Sequence, residues 1–165
     1  MEVIFMLKTE ELKLVSEWDK TFPKSEKVDH EKVTFVNRYG ITLAADLYKP
    51  KNASGKYPAI AVSGPFGAVK EQCSGLYAQT MAERGYLTIA FDPSFTGESG
   101  GYPRFMASPD INTEDFMAAV DFLSVREDVD PDKIGIIGIC GWGGMALNAA
   151  ALDTRIKATV ASTMY

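Results

Sequence analysis

From Lys133 to Gly144 the chain reads Lys-Ile-Gly-Ile-Ile-Gly-Ile-Cys-Gly-Trp-Gly-Gly, and no other stretch narrows the choice of fold as much. A short apolar run of this kind suits a strand covered on both faces, and the glycines that follow mark where it must turn. The reading is a buried strand that turns sharply into a helix, with Cys140 at the tip. A thiol on such a turn is pushed out of the sheet, beside the first backbone N–H groups of the helix. That setting exposes a nucleophile and favours its thiolate form. A cysteine nucleophile also needs a base, yet the single histidine is His30, far upstream.

The rest of the chain supplies a context for that turn. Leu12, Val15 and Trp18 have helical spacing, so the pattern predicts a helix over residues 9–19, followed by a polar linker, Phe22 to Lys27. Residues 1–27 are therefore expected to be a helical extension and linker, loosely docked on a domain spanning 28–165. Val33 to Val36 and Ile41 to Leu47 alternate around the turn Asn37-Arg-Tyr-Gly40, which predicts an antiparallel hairpin. From Tyr57 onward strands and helices alternate. Ala59–Val62, Tyr86–Phe91, Lys133–Ile139 and Arg155–Ser162 read as strands. Ser74 is expected to cap a helix that ends at Gly85, and Asn112 to cap a second that buries Phe116, Ala119, Val120 and Leu123. An alanine-rich helix follows Cys140. Repeated crossovers of this type predict an α/β fold: a mostly parallel sheet with helices on both faces, led by an antiparallel hairpin.

Composition removes several functions. The 165 residues suffice for one sizeable core, and a net charge of −5 offers nothing to nucleic acid or to an anionic membrane. The apolar start Met1–Leu7 lacks a basic flank and a cleavage site, so neither a signal peptide nor a transmembrane span is expected. Two cysteines, Cys73 and Cys140, are too few for a disulfide framework, which makes the cytoplasm the expected location. One histidine and no paired cysteines indicate no metal site, and no cofactor is expected.

Ligands of such sheets bind beyond the carboxyl ends of the strands. Three glycine-rich loops fall there: Ser63–Gly67, Asp92–Gly101 and the Cys140 turn. Gly138-Ile-Cys140-Gly-Trp-Gly, the loop Asp92…Gly97-Glu-Ser99-Gly and the lead-in Val129-Asp-Pro-Asp-Lys-Ile, in that fold order, resemble the α/β-hydrolase superfamily. The likeness is greatest to its dienelactone-hydrolase-like members with a cysteine nucleophile, and it covers Val33 to the C-terminus.

That resemblance implies acyl transfer from an ester, lactone or related small-molecule acyl substrate. Cys140 would attack the carbonyl, and the backbone N–H groups of Gly141 and Phe66, with Gly67 next, would hold the oxyanion. Each such donor is worth about 3–4 kcal/mol. Two positions depart from the family pattern. Trp142 stands where glycine is usual, leaving Gly143 and Gly144 to allow the close approach of helix and strand. Dienelactone hydrolases also carry a glutamate just before the oxyanion residue, where this chain has Gly64 or Pro65; Glu71 is the nearest carboxylate and would have to reach back.

The remaining polar residues have simpler readings. Cys73 is expected to be a structural or surface thiol, and Lys70 and Glu71 the solvated start of a helix. Asp92 and Glu98 are expected to shape the glycine loop, Ser63 to bond at a strand end, and His30 to be a solvated surface histidine. Aromatic residues of the loops fit a pocket lining and core packing equally well.

In the superfamily the order is nucleophile, acid, histidine. After Cys140 there is only Asp153 and no histidine, and strand 155–162 would be left as an apolar edge. The expectation is an N-terminal part of a hydrolase, inactive alone, with a C-terminal segment or the second copy of a homodimer covering that edge. Two other classes stay open: a non-catalytic small-molecule-binding module, and a strand-exchanged assembly subunit. A flavodoxin-like nucleotide binder fits less well, because Pro65 interrupts the row of N–H donors it would need.

Overall fold

The computed structural model describes residues 9–51 and 55–164, so the Met1–Leu7 stretch lies outside it. In chain order the elements are β1 (Val28–Val36), β2 (Thr42–Pro50), β3 (Tyr57–Ser63), α1 (Cys73–Glu83) and β4 (Leu87–Phe91). Then come α2 (Pro109–Ser124), β5 (Val129–Ile139), α3 (Gly141–Leu152) and β6 (Ile156–Ser162). The sheet order is β1-β2-β4-β3-β5-β6. β1, β2 and β4 are antiparallel neighbours, whereas β4, β3, β5 and β6 run parallel. None of the described helices is long and apolar enough to cross a membrane.

The continuous apolar runs follow from the two layers. Tyr57, Ala59 and Ala61 of β3 face the cluster built with Phe116 of α2 and Met145 of α3, while Ile60 and Val62 face Ala78 and Ala82 of α1. β5 divides in the same way, Ile134 and Ile136 to one side and Ile137 and Ile139 to the other. A strand with helices over both faces has no polar side to show.

Parallel register brings the glycine-rich loops together. Val62 pairs with Ala90, and Ser63 with Gly138, so β3, β4 and β5 end on one edge of the sheet. β5 starts at Val129, earlier than the pattern indicated. Its ladder breaks after Val129 and resumes at Ile134, which is where the apolar run begins.

Both helix starts differ from expectation. α1 is entered at Gln72, and Ser74 lies buried inside it. A turn already forms at 69–72, where the Gln72 side chain accepts the Val69 N–H at 3.1 Å and Gln72 N–H bonds Val69 O at 3.0 Å. α2 is capped at Ser108, with Pro109 setting the first helical φ. Asn112 sits one turn in, accepting the Ser108 N–H at 2.8 Å and returning its own N–H to Ser108 O at 2.8 Å. Gly85, at φ +100°, ends α1 as the pattern predicted.

The largest correction concerns the N-terminus. Residues 9–19 form no helix; they are an extended strap across the edge where the loops meet. Two backbone groups that a helix would use, Glu10 O and Val15 N–H, are taken by β2 and by the loop after β4, and Thr21 beyond them is held as well. Thr42 Oγ1 donates to Glu10 O at 3.0 Å, Val15 N–H to Glu98 Oε1 at 2.6 Å, and Thr21 N–H to Glu71 O at 2.9 Å. An extended chain covers about twice the distance of a helix per residue, which such a path demands. Nor is the segment loosely docked, since Trp18 and Phe22 pack on the α1-side core.

Among the described residues β6 pairs with β5 alone, and Val160 is half-exposed. Beside it, on the α1 side, a groove of about 410 Å³ runs over Ile137, Ala158 and Val160, bounded by Met81 and Tyr86.

Candidate active site

The strand-to-helix turn has the geometry its glycines foretold. Cys140 takes φ +59°, a conformation that costs a non-glycine residue about 1–3 kcal/mol and that clusters at functional sites. The turn is held at both sides: Cys140 N–H donates to Ser162 O at 2.8 Å, and Gly143 N–H to Cys140 O at 2.9 Å. Gly138 is obligatory because a Cβ there would lie 2.2 Å from Trp142 O. The thiol is half-buried, and among the described residues its Sγ makes no hydrogen bond.

The loop after β3 closes over this turn. Gly64 adopts φ +99°, with Ile139 O and the Trp142 side chain so near that a Cβ would lie 2.4 Å and 2.2 Å from them. Phe66 lays its ring on Gly141 and on the buried Trp142, the two ring centroids 5.1 Å apart. Among the described residues the N–H groups of Phe66, Gly67 and Gly141 make no hydrogen bond. Of the two glycines expected to replace the one lost at Trp142, Gly143 does so, since its Cβ would meet Met164 and Ala161 at 3.1 and 3.3 Å. Gly144 has open space around it and does not.

Two expectations about charge are overturned in the same region. Lys70 is no solvated residue: it is fully buried, its N–H on Asp92 Oδ1 at 2.8 Å and its Nζ 2.8 Å from Asp92, 2.6 Å from Glu98 and 2.6 Å from Glu71. Burial opposes this charge, but the carboxylates of Asp92, Glu71 and Glu98 outweigh it and hold the ammonium above its ordinary range. The cause is topological, because Asp92 sits buried at the end of β4 and needs a cation from the neighbouring loop. Glu71 is buried too, and its carboxylate answers Lys70 and, at 3.4 Å, Lys32. It makes no hydrogen bond to Cys140 among the described residues. Asp92 and Glu98 do shape the loop: Glu98 N–H donates to Asp92 at 2.9 Å, and a Cβ on Gly97 would lie 2.2 Å from the same carboxylate. Ser63 Oγ bonds Phe91 O at the strand end, as expected.

Asp19, Glu71 and Glu98 lie close enough together to hold a cation, and Lys32 Nζ fills that place at 3.4, 3.4 and 2.7 Å. No sequence signal marked this cluster, because its four members come from segments distant along the chain. His30 is likewise not a solvated residue. Its Nε2 lies 2.7 Å from Asp46, with Trp18 edge-on to the ring and Tyr48 beside it. Register explains this, since His30 stands opposite Tyr48 and diagonal to the fully buried Asp46, which also takes Lys20 Nζ at 3.0 Å. Cys73 is half-buried with Sγ 3.7 Å from Gly64 O, and burial pushes its thiol up.

A cavity of about 350 Å³ lies beside Phe66 and Trp142, between the loops at 65–69, 93–97 and 104–107. Of the aromatic loop residues, Phe66 and Phe105 line it, whereas Phe95 is buried. The turn thus sets a thiol next to N–H groups that are unbonded among the described residues and next to Trp142, which lines the adjoining cavity.

Comparison with known proteins establishes the family and the fold. Residues 39–165 match the family model of the X-Pro dipeptidyl-peptidases, S15 family, and the chain belongs to that family. It is 72% identical over 156 residues to the uncharacterized protein PA2218 of Pseudomonas aeruginosa, covering 94% of this chain and 42% of that protein. With YcjY of Escherichia coli it shares 46% over 133 residues, 78% of this chain and 44% of the relative. With the thiohydrolase aneE of Aspergillus aculeatus it shares 34%, covering 81% and 41%. The chain thus spans less than half the length of these relatives. Among solved structures, PA2218 superposes with TM-score 0.93 over 95% of this chain and 49% of that one. The α/β hydrolase GrgF of a Penicillium species gives 0.74 at 29% identity over 79% and 44%. A protein described as a dienelactone hydrolase from Klebsiella pneumoniae gives 0.69 at 24% identity over 83% and 60%, a likeness of fold.

Proposed function

We propose that this chain carries the nucleophile half of a hydrolase acting on carboxylic ester, lactone or thioester carbonyls, with Cys140 as nucleophile. The observation that carries the reading is Cys140 at φ +59° on the strand-to-helix turn, with the N–H groups of neighbouring Gly141 and of Phe66, whose ring lies on Gly141, unbonded among the described residues. The thiolate attacks the carbonyl carbon, a C–S bond forms, and the carbonyl electron pair moves onto oxygen, where the two donors meet it. Collapse expels the alcohol or thiol, which leaves with a proton. Water then cleaves the acyl-thioester, releasing the acid and restoring the thiol. Thiohydrolases among the relatives support inclusion of thioesters.

The histidine that would move protons in the second half is not at Cys140, because His30 is engaged with Asp46. The chain alone is therefore expected to acylate without turning over. Incubation with a p-nitrophenyl ester should release at most one p-nitrophenolate per chain, and Cys140→Ser should release none. Steady turnover by this chain, or an unchanged burst in Cys140→Ser, contradicts the reading. A non-catalytic binding module with the same fold is favoured by one observation, the engagement of His30 with Asp46 and not with Cys140; it predicts ligand binding with no burst.

In the working protein we infer that β6 is an interior strand. Its single partner and the apolar groove beside it support a covering element, supplied by further chain or by a second copy. The mass of this chain in solution separates the two, a dimer favouring the second copy.

A further inference from the structure

Acyl transfer at Cys140 leaves open what the substrate carries besides its carbonyl. The cavity beside the elbow is walled by apolar side chains, chiefly Phe66, Val69, Pro93, Phe105, Met106 and Trp142. Among its described lining residues a single one bears charge, Arg104. The guanidinium is fixed in the wall: Nη1 donates to Ser99 O and, at 3.4 Å, to Gly101 O, and Nη2 donates to Gly97 O at 2.7 Å. Those three carbonyls use three of its five N–H donors and none of its charge.

The other arginines show how unusual this is within the molecule. Arg38, Arg126 and Arg155 each hold a carboxylate, at 2.7, 2.9 and 2.6 Å, and Arg84 is exposed to solvent. Arg104 is half-buried and pairs with no carboxylate among the described residues. A cation clamped by neutral carbonyls, facing an apolar cavity with donors to spare, is built to receive an anion.

Resting on the acyl-transfer reading, we propose that Arg104 recognises an anionic oxygen group of the substrate, a carboxylate or a phosphate, while the aromatic walls hold its apolar body. The substrate class is an acyl ester or thioester with an apolar chain and one anionic end. Arg104 is then a specificity residue and takes no part in the chemistry.

The test uses Cys140 alkylation, which needs no turnover. Iodoacetamides bearing N-alkyl chains of equal length, ending in a carboxylate, a phosphonate or a neutral amide, are compared by their second-order rates at Cys140. At low salt at least one anionic reagent should react about tenfold faster than the amide, the weight of one charge-assisted hydrogen bond. Which anion leads tells a carboxylate substrate from a phosphate one. The preference should shrink at high salt, vanish in Arg104→Gln and survive in part in Arg104→Lys. Equal rates for the three reagents on the native chain overturn the proposal even if Arg104→Gln fails to fold, and so does a preference that Arg104→Gln retains. Alkylation of Cys140 no faster than of Cys73 with every reagent overturns the acyl-transfer reading itself, a result distinct from loss of charge preference.

Discussion

The ring of Phe66 occupies the space a side chain on Gly141 would need: a Cβ built on Gly141 lies 1.9 Å from Phe66 Cε2. The two residues proposed as oxyanion donors are therefore in direct contact, and the glycine at 141 is what lets the loop after β3 close on the elbow. Gly141→Ala should cost little stability, because Phe66 is 41% exposed and its ring can swing away, and alanine favours the helix start. Acylation of Cys140 should nevertheless slow, as Phe66 shifts from its place. Thermal unfolding and burst rates measured on the same variant check this combination.

Gly138→Ala should behave in the opposite way. Its Cβ would lie 2.2 Å from Trp142 O and 2.8 Å from Ala146 Cβ, backbone and buried helix that cannot swing aside. Such overpacking costs about 1–3 kcal/mol. Urea unfolding should show a lowered midpoint, clearly below that of Gly141→Ala.

Lys70→Met leaves Asp92 buried without its cation, with Glu98 and Glu71 drawn in beside it. Breaking a buried pair from one side costs about 3–5 kcal/mol. The loss should appear in urea unfolding, and the double variant Lys70→Met with Asp92→Asn should recover part of it.

The strap should loosen in acid. Burial acts to raise Glu98, but hydrogen bonds from Lys32 and Lys70 and from the Val15 N–H outweigh it, so the carboxyl is held below its usual range. Asp19 is lowered in the same way against burial, by Lys20 and Lys32. A depressed carboxylate adds stability that is fully present above the unfolded-state pKa, about 4, and is lost as pH falls through the lower folded-state value. The amide resonance of Val15, whose N–H is held by Glu98, should therefore keep its position from neutral pH down to about 5 and shift below about 4. Glu98→Gln should flatten that transition.

Much of this was legible in the amino-acid pattern where local order and burial agree. The runs Ala59–Val62 and Lys133–Ile139 reveal the parallel sheet because covered strands have no polar face, and Gly138 and Cys140 reveal the turn because few other geometries use that spacing. Leu12, Val15 and Trp18 misled because helical spacing carries no information about distant partners; Glu98 and Thr42 captured that backbone instead. Lys70, Glu71 and His30 look solvated in sequence, and only the register of β1 on β2 and of β3 on β4 brings buried Asp46 and Asp92 to them. Arg104 escaped notice for the same reason, its three acceptors being backbone carbonyls that no residue type signals.

In the proposed reaction Cys140 attacks acyl carbonyls. Its most direct measurement is peptide mapping by mass spectrometry after brief exposure of the chain to p-nitrophenyl acetate at neutral pH. One acetyl group is expected on the peptide carrying Cys140, removed by hydroxylamine, with the Cys73 peptide unmodified because burial pushes that thiol up. No acetyl group at Cys140, or equal labelling of Cys73, would contradict it.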